Sequence, residues 1–164
     1  MIKRILKWLA IGLGLVAGTV FVLDTFGGRF LDGPLGPIPG GRMVGAVDPT
    51  TNPDWSGTED VIEIEIRPDQ PWSLSVWRAV VDGDLYIPSG NGAERRWTPI
   101  AVADRRVRIR TQGRIYEGCL ERIEDSETRL PVLQTLVANY DLDATGGDDG
   151  SVWLFRVTER ARCE

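Results

Sequence analysis

Residues 72–87 read Trp-Ser-Leu-Ser-Val-Trp-Arg-Ala-Val-Val-Asp-Gly-Asp-Leu-Tyr-Ile, and their reading decides the fold. Trp72 to Val81 reads as a strand, with Leu74, Val76 and the run Ala79-Val80-Val81 supplying apolar side chains. Asp82-Gly83-Asp84 is hairpin-turn chemistry, because Asp and Gly tolerate the positive φ that a tight turn demands; Leu85-Tyr86-Ile87 is the returning strand. The pattern spreads outward in both directions. Ile62, Ile64 and Ile66 alternate with Glu63, Glu65 and Arg67, the period of a half-buried strand. Val107 and Ile109 alternate with Arg106, Arg108 and Arg110, Gln112-Gly113 turns the chain, and Ile115 to Ile123 is a further strand. Glu94 to Ala103 has helical character that Pro99 bends or ends. The clearest soluble helix is Thr128 to Tyr140, with Leu130, Leu133, Leu136, Val137 and Tyr140 at helical spacing. Ser151 to Val157 is the last strand, and residues 161–164 read as a loose tail. Hairpins, a crossing helix and a closing strand predict a mainly β domain, a small barrel with one or two helices, over residues 59–160.

Ahead of the barrel the composition changes twice. In residues 1–26, Lys3, Arg4 and Lys7 precede an uncharged run from Trp8 to Leu23, which Asp24 closes. A run of roughly 16 residues is short for a span of about 20. Ile5 and Leu6 join it if Lys7 snorkels its ammonium back to the headgroups, which makes residues 5–23 the expected single transmembrane helix. The cations place the N-terminus in the cytoplasm and everything after Asp24 outside, periplasmic or extracellular. A cleaved signal peptide shares this charge pattern, but its candidate site, Ala17-Gly18-Thr19, lies inside the apolar run, so an uncleaved anchor is expected. Residues 27–58 are rich in glycine and proline, which disfavours helix and central strand alike. They read as a linker, partly packed through Leu31, Leu35, Ile38 and Met43.

Composition excludes several functions. Of 164 residues, 42% are hydrophobic, and six tryptophans can fill a β core. A net charge of −5 argues against a nucleic-acid partner, which requires a surplus of cations on one surface. The chain has no histidine, so His-dependent nucleophile pairs, histidine metal sites and histidine-ligated haem are excluded. Its two cysteines, Cys119 and Cys163, are too few for a zinc cluster; unrelated thiols and a single bridge both remain open. Asp141, Asp143, Asp148 and Asp149 begin like a calcium loop, but Val152 stands where the closing glutamate belongs, so a solvated loop is expected and no metal. Arg106, Arg108 and Arg110 read as a solvated sheet face balanced by Glu117 or Glu121 across the hairpin.

Several segments together resemble the split β-barrel superfamily of pyridoxamine-phosphate-oxidase-like proteins, and within it the deazaflavin-dependent nitroreductase branch. The residues that carry the resemblance are the hairpin 80–87, the loop Ser89-Gly90-Asn91-Gly92, Arg95-Arg96-Trp97, the entry Ala103-Asp104-Arg105-Arg106-Val107, Gly113-Arg114 with Tyr116, and the closing segments Asn139-Tyr140 and Trp153-Leu154-Phe155-Arg156-Val157. The acidic stretch Glu59 to Glu65 departs from it, standing where the branch has a basic segment that contributes to cofactor binding. The resemblance implies FMN or deazaflavin, with Ser89, Gly90, Asn91, Gly92, Arg95, Arg96 and Trp97 as the candidate binding set. Glycines allow backbone donors to approach a phosphate, arginine forks grip it, and an indole can flank the ring. The competing reading of the same residues is a glycine-rich turn, exposed arginines and a core tryptophan.

Two functions follow. One is a membrane-anchored flavin- or deazaflavin-dependent reductase acting on a quinone-like or nitro substrate, with the cofactor often held at a homodimer interface in such proteins. The other is a barrel without cofactor, serving as a non-catalytic accessory subunit of a larger membrane complex.

Overall fold

The computed structural model describes residues 8, 11–19, 31–142 and 150–163. Seven strands form one sheet: β1 Val61–Ile66, β2 Trp72–Trp77, β3 Ala79–Val81, β4 Asp84–Ser89, β5 Arg106–Thr111, β6 Arg114–Ile123 and β7 Trp153–Glu159. Their order is β2-β1-β5-β6-β7-β4-β3, with every neighbouring pair antiparallel. β2 and β3 lie at opposite ends of that order yet are separated in the chain by Arg78 alone. The sheet therefore has to curl until its two edges meet at Arg78, which makes it a barrel. The single strand expected over 72–81 is two strands for the same reason. Tyr140 holds the crossover: its hydroxyl accepts the Arg78 N–H at 3.1 Å and lies 2.9 Å from the Arg78 carbonyl, while its ring stacks on Trp77 at 4.6 Å.

Alternation decides what faces inward. Ile62, Ile64, Ile66, Leu85, Ile87, Val107, Ile109, Leu120 and Phe155 are buried in the barrel, and Trp55, Trp97 and Ala101 join them. Burying each of the larger aliphatic or aromatic side chains contributes about 1.5–3 kcal/mol.

Two helices follow the strands' lead. In α1, Thr98–Ala103, Pro99 sits in the first turn, where its missing N–H costs nothing, so it starts a helix rather than bending one. In α2, Ser126–Tyr140, the Asp125 side chain caps the first turn by accepting the Thr128 N–H at 2.8 Å. Val132 and Leu136 pack on Ala79, Tyr86, Ile123 and Leu154, so α2 covers the outside of β3, β4, β7 and β6. The helix is rotated from the expected face: Leu130 is exposed and Arg129 is buried, its guanidinium donating to the carbonyls of Ile123 and Val152 at 3.2 and 2.9 Å.

The linker covers the opposite outer face. Gly40 and Ser73 exchange backbone hydrogen bonds of 2.8 and 2.9 Å, and the Asp48 N–H donates to the Ile115 carbonyl at 2.7 Å. Val47 pairs with Ile115, and Trp55 enters the barrel core. A Cβ at Gly40 would overlap the Gly33 carbonyl, and one at Gly33, where φ is 72°, would run into the Arg110 guanidinium, so both positions require glycine. Of the four apolar linker residues expected to pack, Met43 alone is buried; Leu31, Leu35 and Ile38 are exposed.

The C-terminal end is pinned, not loose. Cys119 and Cys163 form a disulfide across 44 residues, and Arg160–Cys163 is a 3-10 turn. At the other end, residues 11–19 are helical, with Ile11, Leu13, Leu15 and Val16 exposed. Among the described residues no helix is long and apolar enough to cross a membrane. Residues 5–7, 9–10 and 20–23 of the expected span, and Asp143, Asp148 and Asp149 of the acidic loop, lie outside the described residues.

Candidate functional site

The loop from Ser89 to Trp97 closes one end of the barrel. Ser89 ends β4 and is buried, and Asn91 adopts the left-handed conformation, φ 51°. Gly92 is pressed against the Trp153 indole: a Cβ there would lie 2.2 Å from a ring carbon, so glycine is required. The loop's donors turn inward. The Gly92 N–H donates to the Ser151 carbonyl at 2.9 Å, the Glu94 N–H to Asn91 at 2.9 Å and the Arg95 N–H to Gly92 at 3.3 Å. The Thr98 hydroxyl, 2.9 Å from the Arg95 carbonyl, ties the loop to α1.

The side chains divide into two groups. Trp97 is 7% exposed and lies in the core against Phe155, 5.2 Å between ring centres. It plugs the barrel end with Ala101 and has no free face to flank a ligand. Arg95 and Arg96 are exposed outside that plug; the Arg95 Nε donates to the Gly90 carbonyl at 3.0 Å, and Arg96 lies over the Trp72 ring at 5.6 Å. Arg122 stacks on Trp153 at 3.5 Å. The seven expected residues are thus one structural unit, and the fold adds Trp72, Trp153 and Arg122 to it. Those three come from β2, β7 and β6 and carry no local motif. A tryptophan as the first residue of two strands was the available signal.

The arginine strand β5 is paired differently from expectation. Register sets Arg108 between Glu65 of β1 and Glu117 of β6, and Glu63 opposite Arg110; the carboxylates that bond these arginines are those of β1, Glu65 and Glu63, and not Glu117 or Glu121. Glu65 is fully buried; its Oε2 accepts from Arg108 at 2.8 Å and from the Met43 N–H at 2.6 Å. The same Arg108 nitrogen donates to the Met43 carbonyl at 2.9 Å. Arg110 binds Glu63 and, at 2.7 Å, Asp32 of the strap. The Val44 N–H and Arg110 hold the Asp32 carboxyl below its ordinary pKa. Arg106 bonds Asp104 and Asp69 at 2.7 Å each, and lowers the Asp104 pKa in the same way. The acidic first strand is the counter-charge of a covered arginine face, which accounts for its departure from the resembled branch.

A shallow cleft of about 280 Å³ lies between Trp55 of the linker and Asp84, Glu117, Arg156 and Glu159. That is below the roughly 300–1,000 Å³ of ligand pockets, and its carboxylates would repel a phosphate.

Solved structures superpose on this chain at low sequence identity. A candidate pyridoxamine 5′-phosphate oxidase of Listeria innocua is 17% identical, matching 62% of this chain and 84% of its own with a TM-score of 0.50. An Agrobacterium tumefaciens protein of unknown function is 14% identical, over 63% of this chain and 49% of its own, with a TM-score of 0.51. The chain has the split β-barrel fold. An F420-H2-dependent reductase also superposes, 13% identical over 60% of this chain and 94% of its own, at a TM-score of 0.48. The expected resemblance to pyridoxamine-phosphate-oxidase-like proteins holds at the level of fold, on the Listeria innocua structure. No protein-family model matches the chain, and no curated protein matches it in sequence.

The Ser89–Trp97 loop does not fit the phosphate and ring of a flavin or deazaflavin in the expected manner. The N–H groups of Gly92, Glu94 and Arg95 are committed to carbonyls of the fold, and the tryptophan is in the core. Arg95 and Arg96 are exposed on the loop, and within it the buried Ser89 hydroxyl has no hydrogen-bond partner among the described residues.

Proposed function

We propose that this protein is a membrane-tethered, extracytoplasmic split-barrel module that works by binding, as an accessory part of a larger membrane assembly, and holds no cofactor in the Ser89–Trp97 loop. The observation that carries this reading is the inward commitment of that loop, with Gly92 locked on Trp153 and Trp97 plugging the core. The tether rests on the cations and uncharged run of residues 3–23. The extracytoplasmic side is supported independently by the Cys119–Cys163 disulfide, since such bonds persist in oxidising compartments.

The test is purification of the full chain from its native membrane in mild detergent. A defined assembly larger than a monomer or homodimer, colourless and without affinity for added FMN or F420, is expected. A solitary chain, or a preparation with a flavin or deazaflavin band, overturns the reading.

A second reading is favoured by the fold and by the outward guanidinium groups of Arg95 and Arg96. It is a flavin- or deazaflavin-dependent reductase for a quinone-like or nitro substrate, the cofactor supplying the hydride chemistry when bound. Under it, Arg95→Ala combined with Arg96→Ala weakens FMN or F420 binding without altering the melting midpoint. Unchanged affinity in that variant removes the site.

A further inference from the structure

The strap's first part is a small hairpin. The Gly41 N–H donates to the Leu31 carbonyl at 3.2 Å, the Val44 N–H to the Asp32 carboxylate at 2.7 Å, and Leu35 and Ile38 bond each other at 2.9 and 3.1 Å around Gly36-Pro37. Met43 is buried on the barrel, but the hairpin's other large aliphatic side chains are not: Leu35 is 65% exposed and Val44 68%, with Leu31 and Ile38 above a third. Single exposed apolar residues need no explanation, but four on one hairpin of fourteen residues are a patch.

The backbone of this tip suits an interface poor in water. Pro34, Pro37 and Pro39 carry no N–H, the N–H groups of Leu35 and Ile38 donate to each other's carbonyls, and the Gly36 carbonyl accepts from the Ser75 hydroxyl of β2 at 3.2 Å. The hairpin's charges are also settled, because Asp32 is paired with Arg110 at 2.7 Å. Arg42 beside it lies 4.0 Å from the buried Glu65 carboxylate and donates to the Pro68 carbonyl at 2.7 Å, so this cation too is partnered within the fold, although its side chain is 56% exposed. Chain length fixes the location. Asp24 ends the uncharged run and Leu31 begins the hairpin, with six residues between them, so over seven Cα steps the hairpin can lie no more than about 25 Å from the end of the run.

We infer that the Leu31–Val44 hairpin rests on the outer surface of the lipid bilayer, its Leu35-Gly36-Pro37-Ile38 tip entering the headgroup region and fixing the barrel's orientation. This rests on the tether in the proposed function. The sheet face beneath the strap then points at the membrane, and the opposite side, covered by α2, points away.

The test uses the full chain reconstituted in vesicles of phosphatidylcholine and phosphatidylglycerol. The native cysteines are joined to each other, so Leu35→Cys, Ile38→Cys and, as control, Leu130→Cys on α2 each supply one reactive thiol for a nitroxide. Labelled chain is diluted with unlabelled chain, and collision with oxygen is compared with collision with a water-soluble nickel chelate. The inference expects several-fold lower nickel accessibility and higher oxygen accessibility at 35 and 38 than at 130. Equal nickel accessibility at all three sites, in chain that resists alkaline carbonate extraction, overturns the hairpin's placement and leaves the tether standing. Extraction of the chain by carbonate overturns the tether and the inference together. Spin–spin broadening at 35 or 38 that vanishes on dilution, with nickel access retained, assigns the patch to a second copy of this chain and overturns the lipid contact.

Discussion

Replacing Cys163 with serine opens a loop of 44 residues that the disulfide closes in the native chain. The chain-entropy relation puts the lost constraint on the unfolded state at roughly 13 cal/mol/K for that separation, or about 4 kcal/mol at 25 °C. Little offsets it. Cys119 is fully buried and stays behind as a small apolar side chain, and position 163 is half-buried, where a serine hydroxyl reaches water. For a domain of this size, about 4 kcal/mol corresponds to a fall of about 10–20 °C in the melting midpoint. Far-ultraviolet circular dichroism of the full chain in detergent reads it, with and without reductant. Reductant is expected to bring the wild-type midpoint down to that of Cys163→Ser and to leave the variant unmoved. The reasoning is refuted if reductant does not move the wild type, or if denatured, unreduced wild type takes up two equivalents of a thiol label.

Glu65→Leu or Arg108→Leu alone strands a buried charge and is expected to cost about 3–5 kcal/mol in urea unfolding, whereas the double replacement costs less than the sum. Additive losses would show that the two groups do not act as a pair. Gly92→Ala drives a methyl into the Trp153 ring and is expected to destabilise by about 1–3 kcal/mol, with a shifted tryptophan emission; an unchanged midpoint would mean the loop is not seated as described. Acid unfolding is governed by carboxyls whose native pKa is depressed: Asp32 by the Val44 N–H, Glu59 by the Thr111 hydroxyl, Asp104 by Arg106 and Asp125 by the Thr128 N–H. The unfolded chain binds protons more readily at these groups, so their contribution is complete above the ordinary values of 3.8 for Asp and 4.5 for Glu and is lost as pH falls through the depressed native values. A midpoint that drops with acid in that window is expected, and one that is flat there contradicts it.

Most strands were legible because each has one face in the core. Ile62, Ile64 and Ile66 alternate with charges, and Asp82-Gly83 and Gln112-Gly113 supply the turns with φ of 53°, 86°, 50° and 71°. What stayed hidden depended on distant partners. The break at Arg78 has no glycine or proline to mark it, because the chain is bent there by Tyr140, 62 residues away, and by carbonyls of Thr58 and Glu59. The rotation of α2 turns on Arg129, a residue that looks like surface until the Ile123 and Val152 carbonyls are found beside it. The candidate loop was legible as a contiguous unit, but its two decisive contacts, Ser151 on the Gly92 N–H and Trp153 on the Gly92 α-carbon, lie about sixty positions downstream. A glycine that permits a ligand to approach and one that permits a neighbouring indole to approach are identical in sequence.

The two coverings of the barrel bear on where its function can reside. α2 packs over the outside of β3, β4, β7 and β6, and the strap packs over β2, β1 and β5, where the buried Glu65–Arg108 pair ties it down through Met43. A ligand or second subunit that needed the outer face of β1 and β5 would have to displace that strap. Displacement would expose a fully buried carboxylate and leave Arg108 without the Met43 carbonyl, a cost on the scale of breaking a buried ion pair. Among the described residues, the features that remain outward include Arg95 and Arg96 and the apolar hairpin at Leu31–Val44. The hairpin belongs to the same strap and lies next to the uncharged run in the chain. A segment that read as a passive tether therefore closes one side of the barrel and presents a surface of its own. Its glycines and prolines are required for that: Gly33 and Gly40 for the crossing, and the prolines for a tip that asks little of water.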